Sequence, residues 1–207
     1  MTSIARICVV FDLGGVLLRP EGPAAELARV LGVDVEAVLV PYWRHRDAYD
    51  RGGLPSQFWG ALRQDLAAAG LAHADVADDE LDHLDASRWA QLADGSAELL
   101  DALDAAGTPT AVLSNAPASL ARTVRAADWS RRFSPLVFSC DLARMKPEAA
   151  VYEQVEQRTG RRPQELVFFD DRPPNVAGAA QRGWQAHLWT GVEPARRVLV
   201  AAGALPA

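Results

Sequence analysis

The 207-residue sequence has only two cysteines, Cys8 and Cys140, and both lie in or beside apolar, strand-like stretches. Two such thiols are open to interpretation as a redox pair or as small buried hydrophobic side chains. We favour the second interpretation, because free cysteine behaves as a small apolar residue in chains that are not secreted. A disulfide framework is therefore not expected.

Positive charge is also in deficit, since 21 lysines and arginines face 27 aspartates and glutamates and give a formal net charge of −6. That balance repels phosphate backbones and argues against a nucleic-acid partner. No apolar run reaches the length of a membrane span, and the first residues lack the order of a signal peptide. We expect a cytoplasmic protein without a membrane partner; its oligomeric state is not indicated.

Internal repeats and low-complexity segments are missing as well. Hydrophobic residues make up 49% of the chain and charged residues 23%, which is typical of a folded globular protein rather than a disordered one. The length suits one core of ordinary size, or one core with a small insertion.

Strand-like and helix-like runs alternate from about Asp94 onward. With the first apolar run they predict five parallel strands, at Arg6–Phe11, Pro109–Leu113, Leu136–Ser139, Glu165–Phe169 and Gln185–Trp189. Helical patterns lie between them, at Ala97–Ala106, at Glu148–Arg158 and after the proline pair Pro173-Pro174. The pattern predicts an α/β fold with a doubly wound open parallel sheet.

Residues 20–92 break this rhythm, because they contain no convincing strand. They show four helical runs instead, at Ala24–Leu31, Val35–Arg44 with a kink at Pro41, Ser56–Ala69 and Asp79–Leu92. We predict an α/β core formed by residues 1–19 and 93–207, and a small helical domain of residues 20–92 inserted after the first strand.

Polar side chains cluster where the predicted strands end. Parallel strands meet at their carboxyl ends, so three carboxylates, a hydroxyl, an amide and an ammonium group are expected at one edge: Asp12, Ser114, Asn115, Lys146, Asp170 and Asp171. Three neighbouring acids repel one another and require a cation. Mg²⁺ prefers hard oxygen ligands of this kind. With Lys146 as a second positive charge, the edge suits a bound phosphoryl group with Asp12 as nucleophile.

Other phosphate-binding patterns are missing from the sequence. It contains no GxxxxGK[ST] loop, and Gly14-Gly15 does not extend to GxGxxG. A two-component receiver domain also combines acids, a hydroxyl and a lysine on a doubly wound sheet. Its acid pair, however, lies on the first strand, whereas the pair here, Asp170-Asp171, comes last.

Four motifs together resemble the haloacid dehalogenase-like (HAD) hydrolase superfamily with a type-one helical cap: VVFDLGGVLL, VLSNA, MKPEAAVY and VFFDDRPPN. The resemblance implies a Rossmann-like core covered by the helical insert, and a small phosphorylated substrate. In that family Asp12 would attack phosphorus, and Ser114, Asn115 and Lys146 would hold the phosphoryl oxygens. Mg²⁺ would bind Asp12, the carbonyl of Gly14, Asp170 and Asp171. Asn175 matches a further polar position of the last motif.

One position departs from that pattern. Most phosphatases of the family carry a second aspartate, which protonates the leaving group, where this chain has Gly14. A subgroup of α-glucose-1-phosphate phosphatases also has D-L-G there. We therefore expect a Mg²⁺-dependent phosphatase of a small metabolite, with sugar phosphates among the candidates. The alternatives are a 2-haloacid dehalogenase and a catalytically silent binder of phosphorylated ligands.

Residues of the insert offer two further hypotheses. His45 titrates in the right range to supply the missing proton, although an exposed helix face is the interpretation we favour. Trp43, Trp59 and Trp89 are candidates for a sugar-stacking surface, but we favour the core of the insert as their place.

Overall fold

A computed structural model describes residues 7–18, 23–89 and 91–206. Within these residues the chain forms five strands: β1 (Cys8–Phe11), β2 (Thr110–Ser114), β3 (Phe133–Phe138), β4 (Leu166–Asp170) and β5 (Gln185–Leu188). Their order in the sheet is β3-β2-β1-β4-β5, and every pairing is parallel. The predicted doubly wound parallel sheet is confirmed. The chain direction diverges between β1 and β4, where ligands bind in such sheets.

Alternation along β1 explains why the sheet is covered on both faces. Val9 and Phe11 pack into one buried cluster, and Cys8 and Val10 pack into another. A parallel strand with both faces buried is expected to be apolar throughout, as this one is. Cys8 is a free, buried thiol, in line with its interpretation as a small hydrophobic residue.

Helices cover the two faces of the sheet. The described helices are α1 (Pro23–Leu31), α2 (Val35–Asp50), α3 (Pro55–Ala68), α4 (Asp78–Arg88), α5 (Ser96–Ala105), α6 (Ala118–Ala126), α7 (Ser139–Leu142), α8 (Ala149–Thr159), α9 (Pro173–Gln181) and α10 (Val192–Ala201). Apolar residues of α5, α6 and α10 pack on one face, and those of α8 and α9 on the other. Among the described residues, none of the helices combines the length and the apolar composition that a membrane span requires.

Helices α1 to α4 form the helical insert, which has a buried apolar cluster of its own. Phe58, Trp59 and Leu62 lie at its centre, and Tyr49 stacks on Phe58 with ring centroids 4.4 Å apart. The helical character predicted for this segment is confirmed. The predicted boundary between residues 19 and 20 lies outside the described residues, as does Arg6 at the predicted start of β1.

Two helix ends in the insert differ from the sequence prediction. Helix α2 continues through Pro41 to Asp50, because the side chains of its second half are buried against neighbouring helices and compensate for the missing backbone donor. Helix α4 ends at Arg88 rather than at Leu92. Leu92 instead forms an antiparallel bridge with Leu18, which draws this segment onto the loop after β1.

Strand β3 begins three residues earlier than predicted and ends at Phe138. The additional residues include Pro135, which cannot donate to a strand ladder. The strand lies at an edge of the sheet and pairs with β2 alone among the described strands, so the missing donor costs little.

Candidate active site

The loop after β1 holds the first acid in place by turning sharply. Leu18 donates its backbone N–H to Leu13 (2.8 Å), and Gly15 donates to Leu18 (2.8 Å). Gly15 has a φ of +74°, and a Cβ there would overlap the carboxylate of Asp171. Glycine is therefore required at this position both for its backbone conformation and for its lack of a side chain.

Lys146 joins the ends of β1 and β4. Its Nζ lies 2.9 Å from Asp12 Oδ1 and 2.7 Å from Asp170 Oδ2, and all three side chains are buried. Asp12 Oδ1 also accepts the N–H of Leu13 at 2.7 Å. The other oxygen of Asp12, Oδ2, has no donor among the described residues and is free to react or to bind a ligand.

Asp170 is held by donors on all sides. Besides Lys146, it accepts two hydrogen bonds from Asn175 Nδ2 (2.9 and 3.1 Å) and one from the backbone N–H of Arg172 (2.8 Å). It is completely buried, whereas Asp171 is exposed and has no side-chain donor among the described residues. Asn175, which the sequence placed beside the motif, thus orients Asp170.

Asn115 and Ser114 differ in what they leave free. The amide of Asn115 accepts the N–H of Lys146 (2.8 Å) and donates to its carbonyl (3.1 Å), so both side-chain groups hold the lysine backbone. Ser114 is a buried residue, and its hydroxyl forms no hydrogen bond within the part of the chain that is described. Ser114 therefore retains a donor for a ligand, and Asn115 positions Lys146.

Burial dominates the electrostatics of this edge. It raises the pKa of Asp12 to about 7, with Lys146 opposing the shift and Asp170 adding to it. Partial desolvation beside the buried site also raises the pKa of Asp171, although this residue is exposed to solvent, and Asp170 reinforces the shift. Burial by itself would lower the pKa of Lys146, but the two carboxylates outweigh it and hold that pKa above its usual value. The acids outnumber the cation, so additional positive charge is favoured here.

Carboxylate oxygens of Asp12, Asp170 and Asp171 lie within 4.8 Å of one another. This all-oxygen donor set, with one open oxygen on Asp12 and an exposed carboxylate on Asp171, fits a small hard divalent cation. A cleft of about 1370 Å³ opens beside Asp171 and Gly15 and gives access from solvent.

The insert reaches the site through Trp89, the residue that follows α4. A Cβ built on Gly14 would lie 3.2 Å from Cζ3 of the Trp89 ring. Trp89 Nε1 donates to the hydroxyl of Tyr42 at 3.2 Å, and Tyr42 in turn donates to Asp85 at 2.8 Å. The insert therefore packs directly on the loop that carries Asp12.

Arg46 lies at the centre of this part of the insert. Its guanidinium contacts Asp50 (2.7 Å), Asp85 (3.0 Å) and the hydroxyl of Tyr42. We call these four residues, Tyr42, Arg46, Asp50 and Asp85, the Arg46 cluster; all are buried. Burial would lower the pKa of Arg46, but the neighbouring acids, Asp50 foremost, keep it well above its usual range.

Further contacts fasten the insert to the α/β core. Ser119 of α6 donates to Asp82 of α4 at 2.9 Å. Ser139, the first residue of α7, donates to the carbonyl of Asp50 at 2.5 Å. Arg51 pairs with Glu148, two residues after Lys146. The insert is thus tied to the same strand ends that carry the site.

The hypotheses on the insert have separate outcomes. His45 Nε2 lies 3.0 Å from Asp65 Oδ2 on α3, which supports the helix-face interpretation over a proton donor. Trp59 is part of the insert's core, as favoured. That interpretation is wrong for Trp43, which is 53% exposed, and for Trp89, which packs on the core cluster of the sheet.

Sequence reasoning missed the Arg46 cluster. Tyr42, Arg46 and Asp50 are spaced four residues apart and share one face of α2, a face made of polar residues that nonetheless is buried. The sequence offered only that spacing as a signal. Their partner Asp85 comes from a different helix and could not be paired with them in advance.

Comparison with known proteins agrees with this geometry. A family model described as haloacid dehalogenase-like hydrolase matches residues 8–183. A crystal structure of a dehalogenase aligns with a TM-score of 0.67 and 22% identity, covering 89% of this chain and 84% of that one.

Two further structures carry ligands. A HAD family enzyme from Bacteroides thetaiotaomicron, in complex with magnesium and inorganic phosphate, is 19% identical with a TM-score of 0.65 and covers 90% of this chain and 94% of its own. An L-2-haloacid dehalogenase from Xanthobacter autotrophicus, with chloropropionic acid covalently bound, is 24% identical with a TM-score of 0.65, covering 96% and 84%. At these identities the likeness shows the fold.

Proposed function

Because the chain belongs to the haloacid dehalogenase-like hydrolase family, we propose that it is a Mg²⁺-dependent phosphatase acting on a small phosphorylated metabolite. The observation that carries this proposal is the excess of carboxylate over positive charge at the sheet edge, where Asp12, Asp170 and Asp171 share one Lys146. A divalent cation and a dianionic phosphoryl group together match that charge pattern.

Asp12 provides the nucleophile. Its Oδ2 attacks phosphorus and forms an acyl-phosphate bond, while the bond from phosphorus to the leaving oxygen breaks. The leaving oxygen keeps the electron pair and then takes a proton from solvent water. Water then hydrolyses the aspartyl-phosphate and returns the carboxylate. Lys146 Nζ stabilises the negative charge that gathers on the phosphoryl oxygens, and Ser114 supplies a hydroxyl donor.

Asp12, Asp171 and the carbonyl of Gly14 would hold the Mg²⁺ ion, with Asp170 orienting Lys146 beside it. When bound, the ion supplies Lewis-acid stabilisation of phosphoryl charge. Lys146 is positioned for the same charge by Asn115, which fixes its backbone, and by Asp170. Because Asp170 already accepts four hydrogen bonds, we assign it a positioning role in addition to a shared place in the acidic cluster.

The absence of an acid at position 14 favours substrates whose leaving group departs without much help. General acid–base catalysis is typically worth ~10²–10⁴-fold, so its loss discriminates strongly between good and poor leaving groups. A sugar 1-phosphate, which releases a hemiacetal oxygen, should react faster than the corresponding 6-phosphate. Aryl phosphates should react faster still.

Gly14 also favours a second candidate, a 2-haloacid dehalogenase. Displacement of halide by Asp12 needs no protonated leaving group and no metal. Asp171 argues against this candidate, because an additional exposed carboxylate beside Asp12 would hinder attack on an anionic haloacid unless a cation neutralises it.

A substrate screen separates the two candidates. Purified protein is incubated with sugar 1-phosphates, sugar 6-phosphates, aryl phosphates and 2-chloropropionate, each with Mg²⁺ and with EDTA. We expect Mg²⁺-dependent release of phosphate in the order aryl, 1-phosphate, 6-phosphate. Halide release that EDTA leaves unchanged, without phosphate release, would replace the phosphatase by the dehalogenase. No turnover of any substrate would favour a silent phospho-ligand binder.

A further inference from the structure

We propose that Trp89 is a specificity-determining residue, which occupies the place of the missing acid and restricts the enzyme to phosphate esters with acidic leaving groups. The proposal rests on the phosphatase function above and assigns a role to a residue outside the four sequence motifs. It predicts that an aspartate at position 14 cannot work while the indole remains.

The geometry at Gly14 is the first argument. Its φ is not in the positive region, so the backbone itself accepts a side chain. The atoms that a Cβ would meet are Cζ3 (3.2 Å) and Cε3 (3.8 Å) of Trp89, with no other atom outside the neighbouring residues within 4 Å. The direction in which a residue-14 side chain would extend is therefore filled by the six-membered ring.

The second argument is that the ring cannot easily move. Its Nε1 donates to Tyr42, which belongs to the buried Arg46 cluster, and Arg46 lies 6.0 Å from the ring centroid. Trp43 packs edge-on against the ring with centroids 6.5 Å apart. A side chain added at position 14 would have to displace an indole that is held on two sides.

The effect on substrate choice follows from the apolar character of the Trp89 ring. The six-membered ring of Trp89 has no acidic proton, and the indole N–H is directed towards Tyr42. The leaving oxygen thus meets an apolar surface where relatives with a second aspartate place a proton donor. Esters whose leaving group needs protonation are disfavoured. The half-exposed ring of Trp43 and the partly buried ring of Trp89 instead accommodate a flat or apolar leaving group.

The decisive experiment combines substitutions at both positions. Leaving-group dependence is measured as the ratio of kcat/KM for an alkyl phosphate to that for an aryl phosphate, with Mg²⁺. The variants are Gly14→Asp, Trp89→Leu, Gly14→Asp with Trp89→Leu, and the matched control Gly14→Asn with Trp89→Leu. Circular dichroism confirms that each variant is folded.

We expect Gly14→Asp by itself to leave the ratio unchanged or to lower overall activity. The double variant with aspartate should raise the ratio at least ~10-fold over Trp89→Leu, a part of the range that general acid catalysis supplies. The asparagine control should not raise it. A full gain from Gly14→Asp by itself, or an equal gain from the asparagine control, overturns the proposal.

A second measurement keeps the packing claim independent of activity. Gly14→Ala is introduced into the wild type and into Trp89→Leu, and unfolding midpoints are compared. The alanine should lower the midpoint more when the indole is present; equal losses in both backgrounds overturn the proposal. If the wild type hydrolyses no phosphate ester with Mg²⁺, the proposed function is overturned, and the specificity role with it. The comparison of unfolding midpoints would not change that conclusion.

Discussion

Two buried clusters of this protein each place carboxylates around one long cation. At the sheet edge, Lys146 lies 2.9 Å from Asp12 and 2.7 Å from Asp170. In the insert, Arg46 lies 2.7 Å from Asp50 and 3.0 Å from Asp85. Both cations are almost fully buried, so each pays a similar desolvation penalty that its partners must offset.

The two clusters differ in which of their carboxylate oxygens accept hydrogen bonds. In the Arg46 cluster, Tyr42 donates to one oxygen of Asp85 and Arg46 to the other, and Trp89 donates to Tyr42 in turn. At the sheet edge, neither Asp12 Oδ2 nor the carboxylate of Asp171 accepts a side-chain hydrogen bond among the described residues. A carboxylate with donors on both oxygens, such as Asp85, stabilises the fold. The cluster at the sheet edge, which we call the open cluster, has oxygens left to bind and react.

Paired amide substitutions should separate the two clusters most clearly. Asp12→Asn removes the nucleophile with little change of shape, so turnover should fall on the order of 10⁴- to 10⁶-fold while the unfolding midpoint is kept. Asp50→Asn should do the reverse, with a lower midpoint and most of the turnover retained. Steady-state kinetics and thermal unfolding check both. Comparable activity of Asp12→Asn in a clean preparation would disprove the covalent mechanism.

Removing the cation from the insert tests its structural role. Arg46→Met leaves Asp50 and Asp85 buried without their positive partner, which typically costs about 3–5 kcal/mol of unfolding free energy. Denaturant unfolding measures the loss. Arg29→Met, which breaks an exposed pair with Glu26, is the matched control and should leave the midpoint unchanged. Adding Asp50→Asn and Asp85→Asn to Arg46→Met should recover part of the stability; no recovery would argue that packing, not charge, is responsible.

The open cluster should instead respond to metal and pH. The pKa of Asp12 is raised to about 7 in the folded protein, whereas in the unfolded chain it is about 3.9. The metal-free protein should therefore lose stability as the pH rises from the lower to the higher of these values. Mg²⁺ binds the deprotonated form, so the rise in unfolding temperature that it causes should be larger at pH 8 than at pH 5.5. At 100-fold excess over Kd, binding contributes about 2.7 kcal/mol.

Two variants test whether Asp171 is a ligand of the Mg²⁺ ion. Asp171→Ala should abolish the Mg²⁺-dependent shift, because it removes the exposed ligand. Asp101→Asn, at an exposed acid of α5 that pairs with Arg132, should leave the shift intact. A shift that persists in Asp171→Ala would place the ion elsewhere.

The smallest expected effect is at Gly15, which lies directly against the Asp171 carboxylate of the open cluster. Gly15→Ala should lower the free energy of unfolding by about 1–2 kcal/mol, because alanine is strained at a positive φ. The added methyl group would also overlap the carboxylate of Asp171. Gly107→Ala is the matched control, since its φ is +67° but nothing lies within 4 Å of the added Cβ. Urea unfolding should show the larger loss for Gly15→Ala, and only that variant should bind Mg²⁺ more weakly. Equal losses would mean that the Asp171 carboxylate moves aside freely.

Local patterns predicted much of the fold correctly. Apolar runs located all five strands, and their alternation with helices identified the parallel sheet. The errors fall where tertiary contacts override local preference. Helix α2 passes through Pro41 because its second half is buried, and α4 ends early because Leu92 bridges to Leu18. Strand β3 can include Pro135 because it lies at the edge of the sheet, where a missing backbone donor costs little.

Which side chains meet at the sheet edge followed from the order of the motifs, since carboxyl ends of parallel strands share one edge. Their separate tasks did not follow. Asp170 and Asp171 are neighbours in sequence, yet one is enclosed by donors and the other faces the cleft. Asn115 was predicted to contact phosphate, and the sequence did not indicate that both of its side-chain groups hold the backbone of Lys146.

The sequence by itself determined the sheet, the helical insert and the set of residues at the strand ends, because these depend on periodicity and chain order. Only the tertiary structure decided which oxygens remain open, that Gly15 rather than Gly14 carries the positive φ, and that Trp89 covers position 14. The physical reason is that hydrogen-bond satisfaction and close packing depend on residues far apart in the chain. Asp85 and Trp89 become partners of Arg46 and Gly14 only when the insert folds back onto the loop after β1.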